Sequence, residues 1–124
     1  YKQLGFPVIL VGDGRLGGIS CTLSALESLI VRGYNVDGIL LLDDGLDNIS
    51  ALREYASSMK LTSGTGQRMF EDPTESICSF PSLPTNPEEP LFDWYNLCEV
   101  SDKFSRFNEF LDRRWNSMVV ADMQ

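Results

Sequence analysis

The order of strand, glycine-rich turn and helix between Pro7 and Arg32 constrains the fold of this 124-residue chain more than any other feature. Pro7 to Val11 is an unbroken apolar run rich in β-branched residues, which predicts a strand buried on both faces. The chain must then turn tightly, because glycine reaches positive φ without steric cost and four glycines follow at once: Gly12, Gly14, Gly17 and Gly18.

A helix and a second strand complete this unit. Apolar residues recur at helical spacing at Ile19, Leu23, Leu26 and Ile30. Gly33 has the position of a left-handed residue that closes a helix, and Gly38 to Leu42 form the second apolar run. A strand–helix–strand unit requires a parallel sheet with helices packed on it, so we predict an α/β fold.

The rest of the chain supplies further elements of both kinds. Asn48 to Lys60 has the spacing of a helix capped by Asn48 or Asp47, and Ile77 to Phe80 reads as a short strand. Leu61 to Glu75 is polar and predicts a flexible surface loop. Prolines from Pro81 to Pro90 end the sheet pairing.

The last third of the chain is predicted to be helical. Leu91 to Leu97 gives a short aromatic-rich helix, and a longer helix opens at Ser101. One face of the longer helix is too apolar to stay in water, so it packs either in the core or on a partner. Its residues are Phe104, Phe107, Phe110, Leu111, Trp115 and Met118.

The glycine turn is a candidate anion site. Backbone N–H groups at a helix start lack partners inside the helix and carry partial positive charge, and Arg15 adds a full charge beside them. A phosphate or a carboxylate suits such a place. The alternative is that the glycines only make a tight turn and that Arg15 is a solvated side chain.

Composition excludes several kinds of function. The net charge of −8, without a basic cluster, argues against nucleic acid as a partner, and nothing resembles a membrane span. The absence of histidine excludes Ser-His and Cys-His catalysis and His-ligated metal sites within this chain. Its three cysteines, Cys21, Cys78 and Cys98, are odd in number and far apart, as in reduced intracellular proteins.

Two motifs at the carboxyl ends of the first two predicted strands are compatible with nucleotide binding. Gly12-x-Gly14-x-x-Gly17 matches the dinucleotide fingerprint, but Asp43 lies farther along the chain than the acid of that motif does. Asp43 and Asp44 either bind Mg²⁺ or a hydroxyl group or form a common acidic turn before Gly45. A dinucleotide-binding domain of an oxidoreductase is therefore one alternative function. A non-catalytic interaction module that uses the apolar helix face is another.

A resemblance favours a third function. Pro-Val-Ile-Leu-Val before Gly12, then Arg15-Leu-Gly-Gly-Ile-Ser20 and Arg32-Gly-Tyr34 before a strand, resembles dethiobiotin synthetase. The similarity is greatest to the eukaryotic proteins that fuse this synthetase to diaminopelargonate aminotransferase. It is specific from Pro7 to Asp44 and looser beyond. The resemblance implies a three-layer, P-loop-NTPase-like domain, of which this chain is the C-terminal half.

In that family a homodimer uses ATP, Mg²⁺ and CO₂ to close the ureido ring of dethiobiotin on diaminopelargonate. The resemblance implies that the substrate carboxylate binds at Arg15, Leu16, Gly17, Gly18, Ile19 and Ser20, reaching across to the other subunit's active site. It also implies that Asp43, Pro81 and Leu83 lie near the nucleotide. The family's phosphate loop, catalytic lysines and Mg²⁺ ligands precede this stretch, so we expect no catalytic residue and no metal ligand in this chain.

The expected organisation has two parts. Residues 1–98 form the C-terminal part of the synthetase-like domain, and residues 99–124 form a helical segment leading toward a following domain. Pyridoxal phosphate is expected only where a fused aminotransferase follows. By the same resemblance we expect a mitochondrial protein, although no targeting segment is visible in this chain.

Overall fold

A computed structural model describes residues 2–43, 47–59, 69–86, 88 and 90–123, which fall into two compact units, Tyr1–Ser82 and Leu83–Gln124. The first unit contains a 3₁₀ turn at Lys2–Leu4 and a three-stranded parallel sheet. Its strands, in spatial order, are β1 (Val8–Asp13), β2 (Val36–Asp43) and β3 (Ile77–Pro81). A parallel sheet flanked by helices confirms the predicted α/β class and is consistent with a P-loop-NTPase-like architecture.

The helix α1 (Gly18–Val31) connects β1 to β2. It ends as the sequence predicts: Gly33 has a φ of 77°, and its N–H donates to the Ile30 carbonyl at 2.8 Å. β2 begins at Val36 rather than at the predicted Gly38, because Val36 already pairs with Val8 of β1.

The core lies between the sheet and two helices. α1 contacts α2 (Asn48–Met59), and both pack on the face of the sheet that carries Ile39 and Leu41. Leu26 of α1 and Leu52 of α2 are almost fully buried there. Each such leucine contributes about 1.5–3 kcal/mol to stability by leaving water, so the helix positions depend on this face.

The opposite face of β1 differs from the prediction that this strand is buried on both faces. Ile9 and Val11 alternate with Val8 and Leu10, and Val11 is 62% exposed. The prediction is wrong for this face, because successive strand residues point to opposite sides of a sheet and only the side of Leu10 packs against the core.

The segment that leads into β3 is more ordered than the sequence suggests. Residues 61–68 of the predicted surface loop lie outside the described residues, but Met69 and Phe70 are buried in the core rather than exposed. A short helix, α3 (Pro73–Ser76), follows them, and the side chain of Asp72 accepts a hydrogen bond from the Thr74 N–H at 3.0 Å.

The second unit is helical, as predicted. α4 (Leu91–Tyr95) precedes α5 (Cys98–Asp122), and the Phe104 ring of α5 lies 5.5 Å from the Tyr95 ring. Along the predicted apolar face, Phe107 is only 2% exposed whereas Trp115 is 49% exposed. The face is therefore buried near the start of α5 and open toward its end.

Candidate functional site

The glycine turn lies at the carboxyl edge of the sheet, between β1 and α1. The Gly14 N–H donates to the Leu42 carbonyl at 2.7 Å, which ties the turn to the end of β2. The Gly18 N–H donates to the Arg15 carbonyl at 2.8 Å, and Gly17 adopts a left-handed φ of 83°. Glycine suits Gly17 because a side chain there would be strained.

Two other glycines let α1 approach the strand closely. A Cβ at Gly12 would lie 2.6 Å from Thr22 Oγ1, and a Cβ at Gly18 would lie 1.9 Å from the Asp13 carbonyl oxygen. Both distances are shorter than atoms tolerate, so these glycines set the packing of the helix start against the strand end. Gly12 and Gly18 therefore serve the packing of the helix on the strand rather than a positive φ, and this packing is compatible with an anion site at the same turn.

The start of α1 has no side-chain cap, and it is exposed at Gly17 and Ser20 but buried at Gly18. Gly17 is the N-cap residue and offers no side-chain hydrogen bond. Since the first N–H groups of a helix have no acceptor inside it, those of Ile19 and Ser20 are available to a ligand. Ser20 is exposed and Leu16 is 95% exposed, so most of the predicted site residues reach solvent, whereas the Gly18 N–H is already used.

Arg15 is held by a residue that the sequence interpretation did not assign to the site. Asp13, at the end of β1, accepts hydrogen bonds from the Arg15 side chain, with Nε at 2.8 Å from Oδ2 and Nη2 at 2.7 Å from Oδ2. The backbone N–H of Arg15 donates to Asp13 Oδ1 at 2.9 Å. These bonds lower the pKa of the Asp13 carboxyl, so the charged form of Asp13 is favoured and balances part of the charge of Arg15.

Asn48 is a second residue that sequence reasoning did not assign to the site. It opens α2, and its side-chain amide Nδ2 donates a hydrogen bond to the Gly14 carbonyl. The sequence marked Asn48 only as a helix cap, because a contact between residues 34 positions apart leaves no local signal. Asp13 did carry a signal, as a carboxylate two positions before an arginine in a turn.

Two of the residues expected near a nucleotide end neighbouring strands of the sheet. Asp43 and Pro81 are register partners at the carboxyl ends of β2 and β3. Leu83 belongs to the second unit, and Asp44 lies outside the described residues. Within the described ranges, no group of three or more cysteine, aspartate or glutamate side chains is arranged to hold a metal ion.

Two cysteines and a surface hollow are further candidates. Cys21 is exposed on α1, and Cys78 Sγ donates to the Glu75 carbonyl at 3.3 Å. An open apolar hollow in the second unit, with a volume of about 230 Å³, is lined by Pro84, Pro90, Asp93, Trp94 and Leu97. No helix in the described part of the chain has the length and hydropathy to cross a membrane.

Comparison with known proteins gives one consistent result, although no protein-family model matches the chain. The chain is 36% identical over 123 residues to the bifunctional dethiobiotin synthetase/7,8-diamino-pelargonic acid aminotransferase, mitochondrial, of Oryza sativa subsp. japonica, covering 95% of this chain and 13% of that protein. The protein of the same name from Arabidopsis thaliana is 35% identical over 124 residues, covering 100% and 12%.

A fungal protein extends the similarity beyond plants. The bifunctional dethiobiotin synthetase/adenosylmethionine-8-amino-7-oxononanoate aminotransferase of Emericella nidulans is 34% identical over 122 residues, covering 98% of this chain and 13% of that protein. The chain spans about an eighth of the length of the curated relatives it matches. It is thus a homologue of the bifunctional dethiobiotin synthetase/aminotransferase family and corresponds to part of the synthetase portion.

Proposed function

We propose that this chain is part of an ATP-dependent dethiobiotin synthetase, which closes a ureido ring on 7,8-diaminopelargonate with CO₂ in biotin biosynthesis. Its contribution is the site for the substrate's carboxylate, at the glycine turn and the start of α1. The names of the relatives support the reaction, and the geometry of the turn supports the role of this segment.

The observation that carries the role is the uncapped, partly exposed start of α1. Gly17 provides no capping side chain, so a ligand carboxylate can accept from the N–H groups of Ile19 and Ser20. The Ser20 hydroxyl is exposed on the same turn and adds a further donor. The partial positive charge of the helix start favours an anion over a neutral group.

Arg15 and Leu16 fit the two chemical parts of the proposed substrate. The Arg15 guanidinium lies next to the helix start and strengthens the attraction for a carboxylate, although Asp13 balances part of its charge. Leu16 is 95% exposed, which is unusual for a large apolar residue, and it suits contact with an aliphatic chain or with a second subunit. A homodimer in which this loop reaches the other subunit's active site is part of the proposal.

The nucleotide side of the proposal involves the ends of β2 and β3. Asp43 and Pro81 are adjacent there, and with Leu83 they are the residues expected near ATP. ATP would activate the substrate for ring closure, with Mg²⁺ held by residues outside this chain. Pyridoxal phosphate would serve only a fused aminotransferase. A mitochondrial location is proposed from the names of the plant relatives.

The test is an assay of the full-length protein that contains this chain, with diaminopelargonate, bicarbonate and MgATP as substrates. Arg15→Gln is expected to raise the KM for diaminopelargonate about tenfold and to leave the KM for ATP unchanged, because it removes a charge-assisted contact. Arg32→Gln is the matched control, since Arg32 bonds the Ser28 carbonyl at the far end of α1. Absence of dethiobiotin formation by the wild-type protein would overturn the proposal.

The 124-residue chain by itself is proposed to be inactive. Under the same assay conditions the isolated chain should form no dethiobiotin, because the residues expected to hold the phosphates and the metal ion lie outside it. Product formation by the purified chain would contradict this part of the proposal and would place the catalytic groups within these residues.

A dinucleotide-binding domain is the second candidate. The observation that favours it is the close approach of α1 to β1 at Gly12, with Asp43 at the end of the neighbouring strand. NADH fluorescence titration separates the two functions. Tight NADH binding by the wild-type protein that is lost in Gly14→Val would favour the dinucleotide function. Absence of NADH binding would favour the synthetase function.

A further inference from the structure

We propose that Asn48 is a positioning residue for the carboxylate site, acting through the peptide group between Gly14 and Arg15. The inference rests on the proposed function for the identity of the ligand. Its structural part, that a side chain of α2 fixes the orientation of a peptide in the glycine turn, stands on the contacts alone.

This peptide group is held at both ends. Its oxygen, the Gly14 carbonyl, accepts from Asn48 Nδ2, and its N–H, that of Arg15, donates to Asp13 Oδ1 at 2.9 Å. A peptide group is planar and rigid, so two hydrogen bonds at opposite ends fix its orientation. The preceding N–H, of Gly14, is bonded to the Leu42 carbonyl at 2.7 Å, which fixes the other side of Gly14.

The peptide needs this support because Gly14 has no side chain. Glycine occupies both signs of φ with similar ease, so its own conformational preference does not resist a flip of the adjoining peptide. Gly14 is buried and Asn48 is half-buried, so the bond between them is shielded from competing water. Asn48 thus supplies a restraint that the local sequence lacks.

Orientation matters here because the two ends of a peptide have opposite effects on an anion. The Asn48 amide donates to this oxygen and offsets its partial negative charge, one residue before Arg15 in the chain. A flipped peptide would move that oxygen and release the Arg15 N–H from Asp13. The expected result is weaker carboxylate binding with the chemical step unaffected.

The start of α2 has side-chain contacts besides that of Asn48. Asp47 Oδ1 accepts from the Ser50 hydroxyl at 3.0 Å, so the first turn has a side-chain contact of its own. Arg53 fastens the same helix to β3 by donating to the Ile77 carbonyl at 2.8 Å. Loss of the Asn48 amide should therefore disturb the glycine turn more than it disturbs α2.

The kinetic test uses Asn48→Asp in the full-length protein, because aspartate keeps the shape of asparagine and replaces the donor with an oxygen that repels the Gly14 carbonyl. The expected result is a rise of about tenfold in the KM for diaminopelargonate, with kcat and the KM for ATP changed less than about twofold. Asn48→Gln retains the donor and should recover most of the loss. Ser50→Ala is the control for the first turn of α2. Equal effects of Asn48→Asp and Asn48→Gln, or a loss confined to kcat, would overturn the inference.

Hydrogen exchange separates the structural part from the proposed function. In Asn48→Asp, peptides covering residues 12–18 should exchange faster, while peptides from the later turns of α2 keep the wild-type rate. Unchanged exchange over residues 12–18 would show that Asn48 does not hold the turn. If the wild-type protein makes no dethiobiotin, the proposed function fails, and the exchange result still decides whether Asn48 fixes this peptide.

Discussion

The Asp13 carboxylate accepts hydrogen bonds from both the backbone N–H and the guanidinium of Arg15, two residues farther along the chain. The side chains are 44% and 78% exposed, respectively, and ion pairs this exposed are weak. A ligand carboxylate could therefore take the place of Asp13 on the guanidinium. The pair resembles a carboxylate site that is occupied by the protein's own side chain.

Asp13→Asn is the substitution that tests this relationship. Asparagine keeps an oxygen for the Arg15 N–H and removes the charge that competes for the guanidinium, so the KM for diaminopelargonate in the full-length protein should fall about two- to threefold. Asp112→Asn, an exposed change on α5 with the same loss of charge, should leave that KM unchanged. A rise in KM for Asp13→Asn would show that Asp13 orients Arg15 rather than competing for it.

Asp72 gives a prediction about acid stability. The Thr74 hydroxyl and N–H bond to its carboxylate and lower its pKa, so the folded state favours the charged form. This contribution is fully present above the unfolded pKa of about 4 and is lost as the pH falls through the lower folded pKa. Asp72→Ala should reduce the free energy of unfolding by about 1 kcal/mol at neutral pH, as the loss of a helix cap does, and the difference should shrink below about pH 3.5.

Urea titrations at several pH values measure that difference. Glu71→Ala serves as the control, because Glu71 is the exposed neighbour of Asp72 and lies outside α3. A cost of Asp72→Ala that stays constant down to pH 3 would mean that the cap does not depend on the carboxylate charge.

Substitutions at Gly17 distinguish the cost of backbone strain from the cost of side-chain crowding. A Cβ at this position would meet no atom within 4 Å, so only its φ of 83° opposes a substitution. Gly17→Ala should cost about 1 kcal/mol of unfolding free energy, whereas Gly17→Asn should cost less because asparagine tolerates the left-handed region. Thermal unfolding of both variants measures the difference. Equal costs would show that something other than φ opposes side chains at this position.

Substitutions at Phe107 and Trp115 compare the buried part of the apolar face of α5 with its exposed part. Phe107→Ala should reduce the free energy of unfolding by about 3 kcal/mol or more, because it empties a buried aromatic site. Trp115→Ala removes a larger ring that is half exposed, and it should cost less than about 1 kcal/mol. Chemical denaturation followed by far-UV circular dichroism provides the comparison, and a larger cost at Trp115 would contradict this division of the face.

The sequence was sufficient for the strand–helix–strand unit because that unit is local. The apolar period from Ile19 to Ile30 and the glycine at position 33 predict α1 to within a residue at either end. The burial of Met69 and Phe70 could not be predicted in the same way. These two apolar residues stand beside a polar stretch without any period, and it is the packing of the distant α1, α2 and β-strands that encloses them.

The candidate site shows the same limit. The glycines and Arg15 were visible as a pattern, since a turn before a helix is encoded in neighbouring residues. The partners of that turn were not visible, because Asn48 reaches Gly14 across 34 positions and Leu42 reaches it across the sheet. Hydrogen bonds between distant segments depend on the fold as a whole, so the periodicity of the sequence does not predict them.

The outward side of β1 has a practical consequence for anyone who isolates this segment. β1 is an edge strand of the described sheet, its first four residues are apolar, and Ile9 and Val11 meet solvent. Exposed apolar edge strands favour aggregation, because they can pair with one another. Val11→Lys would place a gatekeeper charge on the bare side of the strand, and it offers a rational first step toward keeping the separated segment monomeric at high concentration.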